Sequence, residues 1–136
     1  MMKRLLGILL MMGGGVISSQ AQKISSAKVP AQVKAAFEKA HAKTSVKWEM
    51  EKSNYEAGFT LNGKETSEVY TAAGSLLETE TAIRTNELPA AVLARLKGKK
   101  IAEAAKITRA DGTVCYEAEV KGKDFLFDTE GNAVKH

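Results

Sequence analysis

The sequence predicts an α+β fold, a mostly antiparallel sheet of up to eight strands with two helices packed on one face. Three observations carry that reading. Two apolar-Pro dipeptides, Val29-Pro30 and Leu88-Pro89, each open a stretch with apolar residues at helical spacing. After each stretch the pattern changes to strict alternation broken by glycine turns. The chain also echoes itself: Val29-Pro30-Ala31-Gln32-Val33 returns as Leu88-Pro89-Ala90-Ala91-Val92, and Tyr55-Glu56-Ala57 as Tyr116-Glu117-Ala118. The Gly63-Lys64 turn returns as Gly122-Lys123, and Tyr70 with Gly74 as Phe127 with Gly131, at nearly constant spacing. Two copies of one unit are expected, over about 29–84 and 88–136.

The chain of 136 residues begins with a segment that does not belong to the fold. Lys3 and Arg4 precede an uncharged run from Leu5 to Ile17, and Ser19-Gln20-Ala21 offers small residues at the −3 and −1 positions of a signal-peptidase site. Residues 1–21 are therefore read as a signal peptide, cleaved near Ala21, and the protein as periplasmic or secreted. The run is shorter than the ~20 residues of a membrane span, so no membrane-spanning segment is expected. Without Lys3 and Arg4 the remainder holds 18 basic and 16 acidic residues, about +2, which removes the compositional argument for nucleic-acid binding. Residues 22–136 make one domain, which at this size buries roughly two thirds of its unfolded surface. The single cysteine, Cys115, has no internal disulfide partner.

The elements follow in order. Val29, Val33, Ala36, Phe37 and Ala40 lie on one face of a helix over about 30–42. Val46, Trp48 and Met50 alternate with Lys47, Glu49 and Glu51, and Tyr55, Ala57, Phe59 and Leu61 with Glu56, Gly58 and Thr60. Asn62-Gly63 suits a two-residue hairpin turn, and Ala73-Gly74 a second turn before Leu77, Thr79, Thr81 and Ile83. Leu88, Val92 and Leu96 mark the buried face of a short second helix, with Gly98 placed as its left-handed cap. Asp111-Gly112, Gly122-Lys123 and Glu130-Gly131 then punctuate further strands, one of which points Val114, Tyr116, Ala118 and Val120 inward. Each copy is thus a helix followed by about four strands. The sheet face away from the helices should be solvated.

The chain resembles the exported PepSY-like, beta-lactamase-inhibitor-like proteins common in Bacteroidetes. The resemblance rests on Val29-Pro30 and Leu88-Pro89, Val46-Lys47-Trp48-Glu49, Tyr55-Glu56-Ala57 and Asn62-Gly63-Lys64-Glu65. Leu76-Leu77-Glu78-Thr79-Glu80-Thr81, Lys106-Ile107-Thr108 and Gly122-Lys123-Asp124 extend it over nearly all of residues 22–136. It implies two tandem helix-plus-sheet repeats, an envelope or extracellular location and, by analogy with the beta-lactamase inhibitor protein, a curved open sheet face that grips a partner. It carries over no functional residue. Ala40-His41-Ala42-Lys43-Thr44-Ser45 departs from it, since relatives often carry an aromatic-Pro-Gly turn there.

Candidate chemistry is sparse. Nucleophilic catalysis needs a base and an orienting group, and the two histidines are His41, read as a solvated cap at a helix end, and His136, the last residue. No catalytic set, cofactor or metal site is expected, and the protein is read as no enzyme. Alternation sends Cys115 to the open face, as a small shielded strand residue or a reactive thiol. Arg95, Lys97, Lys99 and Lys100 form a basic patch that offsets a helix dipole, and Trp48 is read as core. The distinctive feature is the outward row Glu49, Glu51, Glu56, Glu78, Glu80, Glu117 and Glu119. It suggests a non-enzymatic exported module recognising a protein or peptide through an acidic face. The alternatives are an inhibitor of a secreted or periplasmic hydrolase, and a weak calcium-binding envelope protein without a fixed partner.

Overall fold

A computed structural model describes residues 22–135 of the chain. The expected signal peptide and His136 lie outside the described residues. The sheet has eight antiparallel strands in simple sequential order: β1 (Gln22–Ile24), β2 (Lys47–Glu51), β3 (Asn54–Leu61), β4 (Lys64–Tyr70), β5 (Leu76–Ile83), β6 (Glu103–Arg109), β7 (Val114–Val120) and β8 (Lys123–Phe127). It is one continuous sheet. Helix α1 (Ala31–Ala40) connects β1 to β2, and α2 (Ala90–Arg95) connects β5 to β6. No helix among the described residues is long and apolar enough to cross a membrane.

The eight strands are distributed differently from the expected four after each helix. Four strands follow α1 and three follow α2, and the eighth is β1, whose Ile24 pairs with Trp48 at the edge. A three-residue edge strand carries too little alternation to register in the sequence. After β8 the chain turns at Gly131 and returns only as a Phe127–Ala133 bridge with Val134 N–H donating to Leu126 O at 3.0 Å.

Local chemistry accounts for the boundaries. Pro30 and Pro89 sit just before the helices, and their carbonyls accept the first helical N–H groups, from Val33 at 3.0 Å and Val92 at 2.9 Å. Helix α1 ends at His41 because the next residues leave helical space, Lys43 with φ +57°. Asn62-Gly63 has positive φ at both positions, as a two-residue hairpin of matching twist requires. The corresponding turn between β7 and β8 is Lys121-Gly122, one residue earlier than expected.

The helices cover one face with two separate cores. Val29, Val33 and Phe37 pack on Trp48, Ala57, Phe59 and Tyr70, and Leu88, Val92 and Leu96 on Ala104, Ala118, Val120 and Phe127. Between them the same face is polar, since Thr79 and Thr81 of β5 stand beside Thr108 and Lys106 of β6. Trp48 is core, as expected.

Gly74 and Gly131 let the two turns abut the helices. A Cβ on Gly74 would stand 2.8 Å from Gln32 O, and one on Gly131 2.7 Å from Ala91 O, and both residues have positive φ. Gly131→Ala should therefore cost about 2 kcal/mol through backbone strain and clash, read as a lower midpoint in chemical denaturation. A midpoint within error of wild type would show that the turn swings away freely.

Candidate functional site

Strand register assembles the glutamates on the sheet face opposite both helices. Glu49 of β2 is paired with Glu56 of β3, Glu56 with Val69 of β4, and Val69 with Glu78 of β5. One step along, Lys47, Gly58, Ser67, Glu80, Ile107 and Cys115 form a continuous row across β2 to β7. A third row runs Ala82, Ala105, Glu117 and Leu126. The seven glutamates do share one face, as alternation requires.

Their solvation overturns the expectation. Glu56 and Glu80 are 1% exposed, Glu117 6% and Glu51 8%; Glu49, Glu78 and Glu119 are half-buried. The face is mixed rather than acidic throughout, with Val69, Ala105, Ile107, Cys115 and Leu126 buried among the carboxyls and Val134 packed on Ile107, Cys115 and Leu126. Alternation assigns a residue to a face but says nothing about what surrounds it there. Both carboxylate oxygens of Glu56 and of Glu80, and one of Glu117, have no hydrogen-bond partner among the described residues.

Such groups resist ionisation. Burial, reinforced by Glu51 and Glu49, pushes Glu56 up to about 9; the Ser67 hydroxyl lies near enough to moderate this but outside hydrogen-bonding geometry. Burial, with Asp124 adding repulsion, pushes Glu117 up to about 9, and burial raises Glu51 to about 7 against the opposing pull of Lys52. Glu80 is held far above the carboxylate range by burial and by Glu117 and Glu56. Glu78 rises less, because Arg109 stands 3.7 Å away through its Nε. At neutral pH Glu56, Glu80 and Glu117, at the centre of the face, are therefore carboxylic acids.

The face is not closed everywhere. Beside Gly58 a cavity of about 420 Å³ opens, with Lys47, Glu49, Glu65 and Ser67 among its walls. A smaller one, about 150 Å³, lies between α1 and β2 around His41, Lys43 and Trp48.

His41 is not the solvated cap expected from its position. Its ring is tilted against Phe37 and Phe59, and its Nε2 lies 3.1 Å from Glu68 Oε2, while Tyr70 donates to Glu68 Oε1 at 2.6 Å. Burial and the Glu68 carboxylate hold the Tyr70 phenol well above its usual range. This network lies on the helix face and was missed; its signal was the in-phase alternation of Glu68 with Tyr70 on β4. Arg95 likewise departs from the expected patch, donating from Nη1 to Gly131 O at 2.9 Å and so tying α2 to the last turn, whereas Lys97, Lys99 and Lys100 are exposed.

Cys115 is on the expected face and buried, which removes the reactive-thiol reading; burial raises its thiol. In the native protein Ellman's reagent should leave Cys115 unmodified over an hour at pH 7.5 and titrate it fully in denaturant; stoichiometric native labelling would contradict this burial. No group of three or more His, Cys, Asp and Glu among the described residues has metal-holding geometry.

The fold and this face define an α+β protein built on an eight-stranded antiparallel meander. No protein-family model and no curated protein sequence matches the chain. Solved structures do. A protein of Bacteroides eggerthii described as periplasmic is 21% identical at a TM-score of 0.71, covering 79% of this chain and 86% of its own. A DUF2874 family protein from Bacteroides uniformis is 22% identical at 0.70, covering 78% and 86%. A BLIP-like protein from Bacteroides fragilis is 21% identical at 0.63, covering 77% and 83%. At these identities the likeness is one of fold. It meets the beta-lactamase-inhibitor-like part of the expected resemblance, while PepSY proteins are not among these structures.

Proposed function

We propose that the protein is a non-enzymatic, exported binding module that recognises a protein or peptide through the sheet face opposite its helices. The observation that carries this reading is the buried set Glu56, Glu80 and Glu117, in which both oxygens of the first two and one of the third lack partners among the described residues. Burying carboxyls without partners costs stability, and a face that bears this cost without internal compensation suits a surface completed by something else. Export is supported by the apparent leader at 1–21 and by the likeness to a protein described as periplasmic. The echoed landmarks, together with the matching approach of Gly74 to α1 and Gly131 to α2, support an origin by duplication.

Charge reversal at Glu56, Glu80 or Glu117 would test folding rather than binding, because all three are buried. The edge carboxylates Glu49 and Glu119 are the appropriate positions. The exported chain, immobilised and exposed to envelope extract of the producing cells, should retain a protein that a Glu49→Lys, Glu119→Lys double variant with an unchanged melting temperature does not. Equal retention by both would remove this face from recognition.

The BLIP-like neighbour favours a second reading, restraint of a secreted hydrolase. It requires slowed turnover in at least one member of a panel of beta-lactamases and proteases; unchanged rates throughout would remove it. The calcium reading finds no supporting geometry among the described residues.

A further inference from the structure

The cavity beside Gly58 gives the partner a chemical identity. Gly58 stands between Lys47 of β2 and Ser67 of β4 in one cross-strand row, so its missing side chain leaves a pit in the middle of that row. The volume, about 420 Å³, exceeds a single side chain and leaves room for water. Besides Lys47, the charged groups lining the pit are Glu49 and Glu65, and hydroxyls of Thr44, Ser45 and Thr60 share the wall.

The polar groups of the pit divide into those already engaged and those waiting. Thr66 Oγ1 donates to Lys64 O at 3.1 Å and is engaged. Ser67, 1% exposed, lines the cavity with an Oγ that has no partner among the described residues. Glu80, directly across the strands from Ser67, and Glu56, two residues from Gly58, are buried beside the pit and are not among its lining residues. A positively charged hydrogen-bond donor suits the Ser67 hydroxyl between the acidic side chains of Glu49 and Glu65; an anion would meet those two acidic walls, and an apolar group would leave the hydroxyl unpaired.

We propose that the pit over Gly58 is an anchor site for a cationic side chain, arginine or lysine, of the partner protein. This rests on the reading of the sheet face as the binding surface and adds the residue type it selects. The cation enters between Glu49 and Glu65, accepts no hydrogen bond, and donates to Ser67 Oγ. Lys47 is the one basic wall and opposes it; its exposed, flexible stem lets the ammonium swing toward solvent.

The test uses N-acetyl-arginine amide as the probe, with the uncharged isostere N-acetyl-citrulline amide as control, followed by amide NMR shifts of the exported chain. The expected result is a saturable shift centred on Gly58 and Ser67, at least tenfold weaker for citrulline, and tighter in Lys47→Ala. Gly58→Leu should abolish it without unfolding the protein, because a Cβ at Gly58 meets nothing closer than Lys47 O at 3.8 Å. Ser67→Ala, a smaller change, should weaken binding severalfold and guards against misfolding of the leucine variant. Equal response to arginine and citrulline, shifts centred elsewhere, or binding indifferent to both substitutions would overturn the proposal. Failure of the anchor is distinguishable from failure of the binding face: a partner retained equally by wild type and Gly58→Leu but lost from the Glu49, Glu119 variant overturns the anchor alone.

Discussion

Glu56→Gln should raise the melting temperature at pH 8 and leave it unchanged at pH 4. Glu56 is 1% exposed, and burial pushes its carboxyl up to about 9 in the folded chain, against an ordinary value near 4.5. Between those limits the folded chain holds a proton that the unfolded chain has released. Stability must then fall as pH rises through the window, since the slope has the sign of protons bound unfolded minus protons bound folded. At ~1.36 kcal/mol per unit, the penalty carried by this one group at pH 8 is on the order of several kcal/mol. Glutamine keeps the shape, stays neutral at every pH and carries no such penalty. The wild-type protein should therefore be most stable near pH 4–5 and lose stability progressively toward pH 9, with Glu80 and Glu117 contributing in the same direction. Thermal unfolding followed by circular dichroism across that range checks both statements. A wild-type melting temperature that rises from pH 5 to pH 8, or a Glu56→Gln variant that is less stable at pH 8, would show that Glu56 is ionised and partnered in solution.

Phe37→Ala should be the most damaging single truncation on the helix side, at about 3–5 kcal/mol. Phe37 is 4% exposed and makes edge-on contacts with Phe59 at 5.0 Å and Trp48 at 5.7 Å between ring centres. Its loss opens a cavity, removes aromatic packing worth more than its area alone, and takes away the ring on which His41 leans at 5.1 Å. Set against a total stability of roughly 5–15 kcal/mol for a domain of this kind, the change consumes a large share. Urea denaturation should show a much lower midpoint; a shift below 1 kcal/mol would mean that α1 repacks around the gap. Because the two helical cores share no residue, the same variant should leave the environment of Val92 unchanged in the folded state.

Much of this molecule is set by short-range rules. Proline before each helix, alternation along β2, β3, β5 and β7, and glycine or asparagine where φ must be positive each act over a few residues, so one chain read in order suffices to place them. The same rules put Trp48 in the core and all seven glutamates on one face. Strand β1 was beyond them, since three residues carry no period and its place at the edge depends on pairing with β2. The four-plus-three division of strands around the helices, completed by β1, depended in the same way on where the chain after β8 came to rest.

The state of the carboxyl row is a property of the tertiary structure alone. Ionisation depends on the summed burial and charge around a group, and for Glu56, Glu80 and Glu117 that environment comes from the neighbouring strands, with Val69, Ile107 and Leu126 brought among them by register. Glu68 shows the converse, a carboxyl on the helix face that Tyr70 and His41 bond directly because α1 delivers His41 to β4. Sequence alone determined which way each glutamate points; only the assembled sheet decided which are charged, because desolvation sums over neighbours that the chain brings together only by folding.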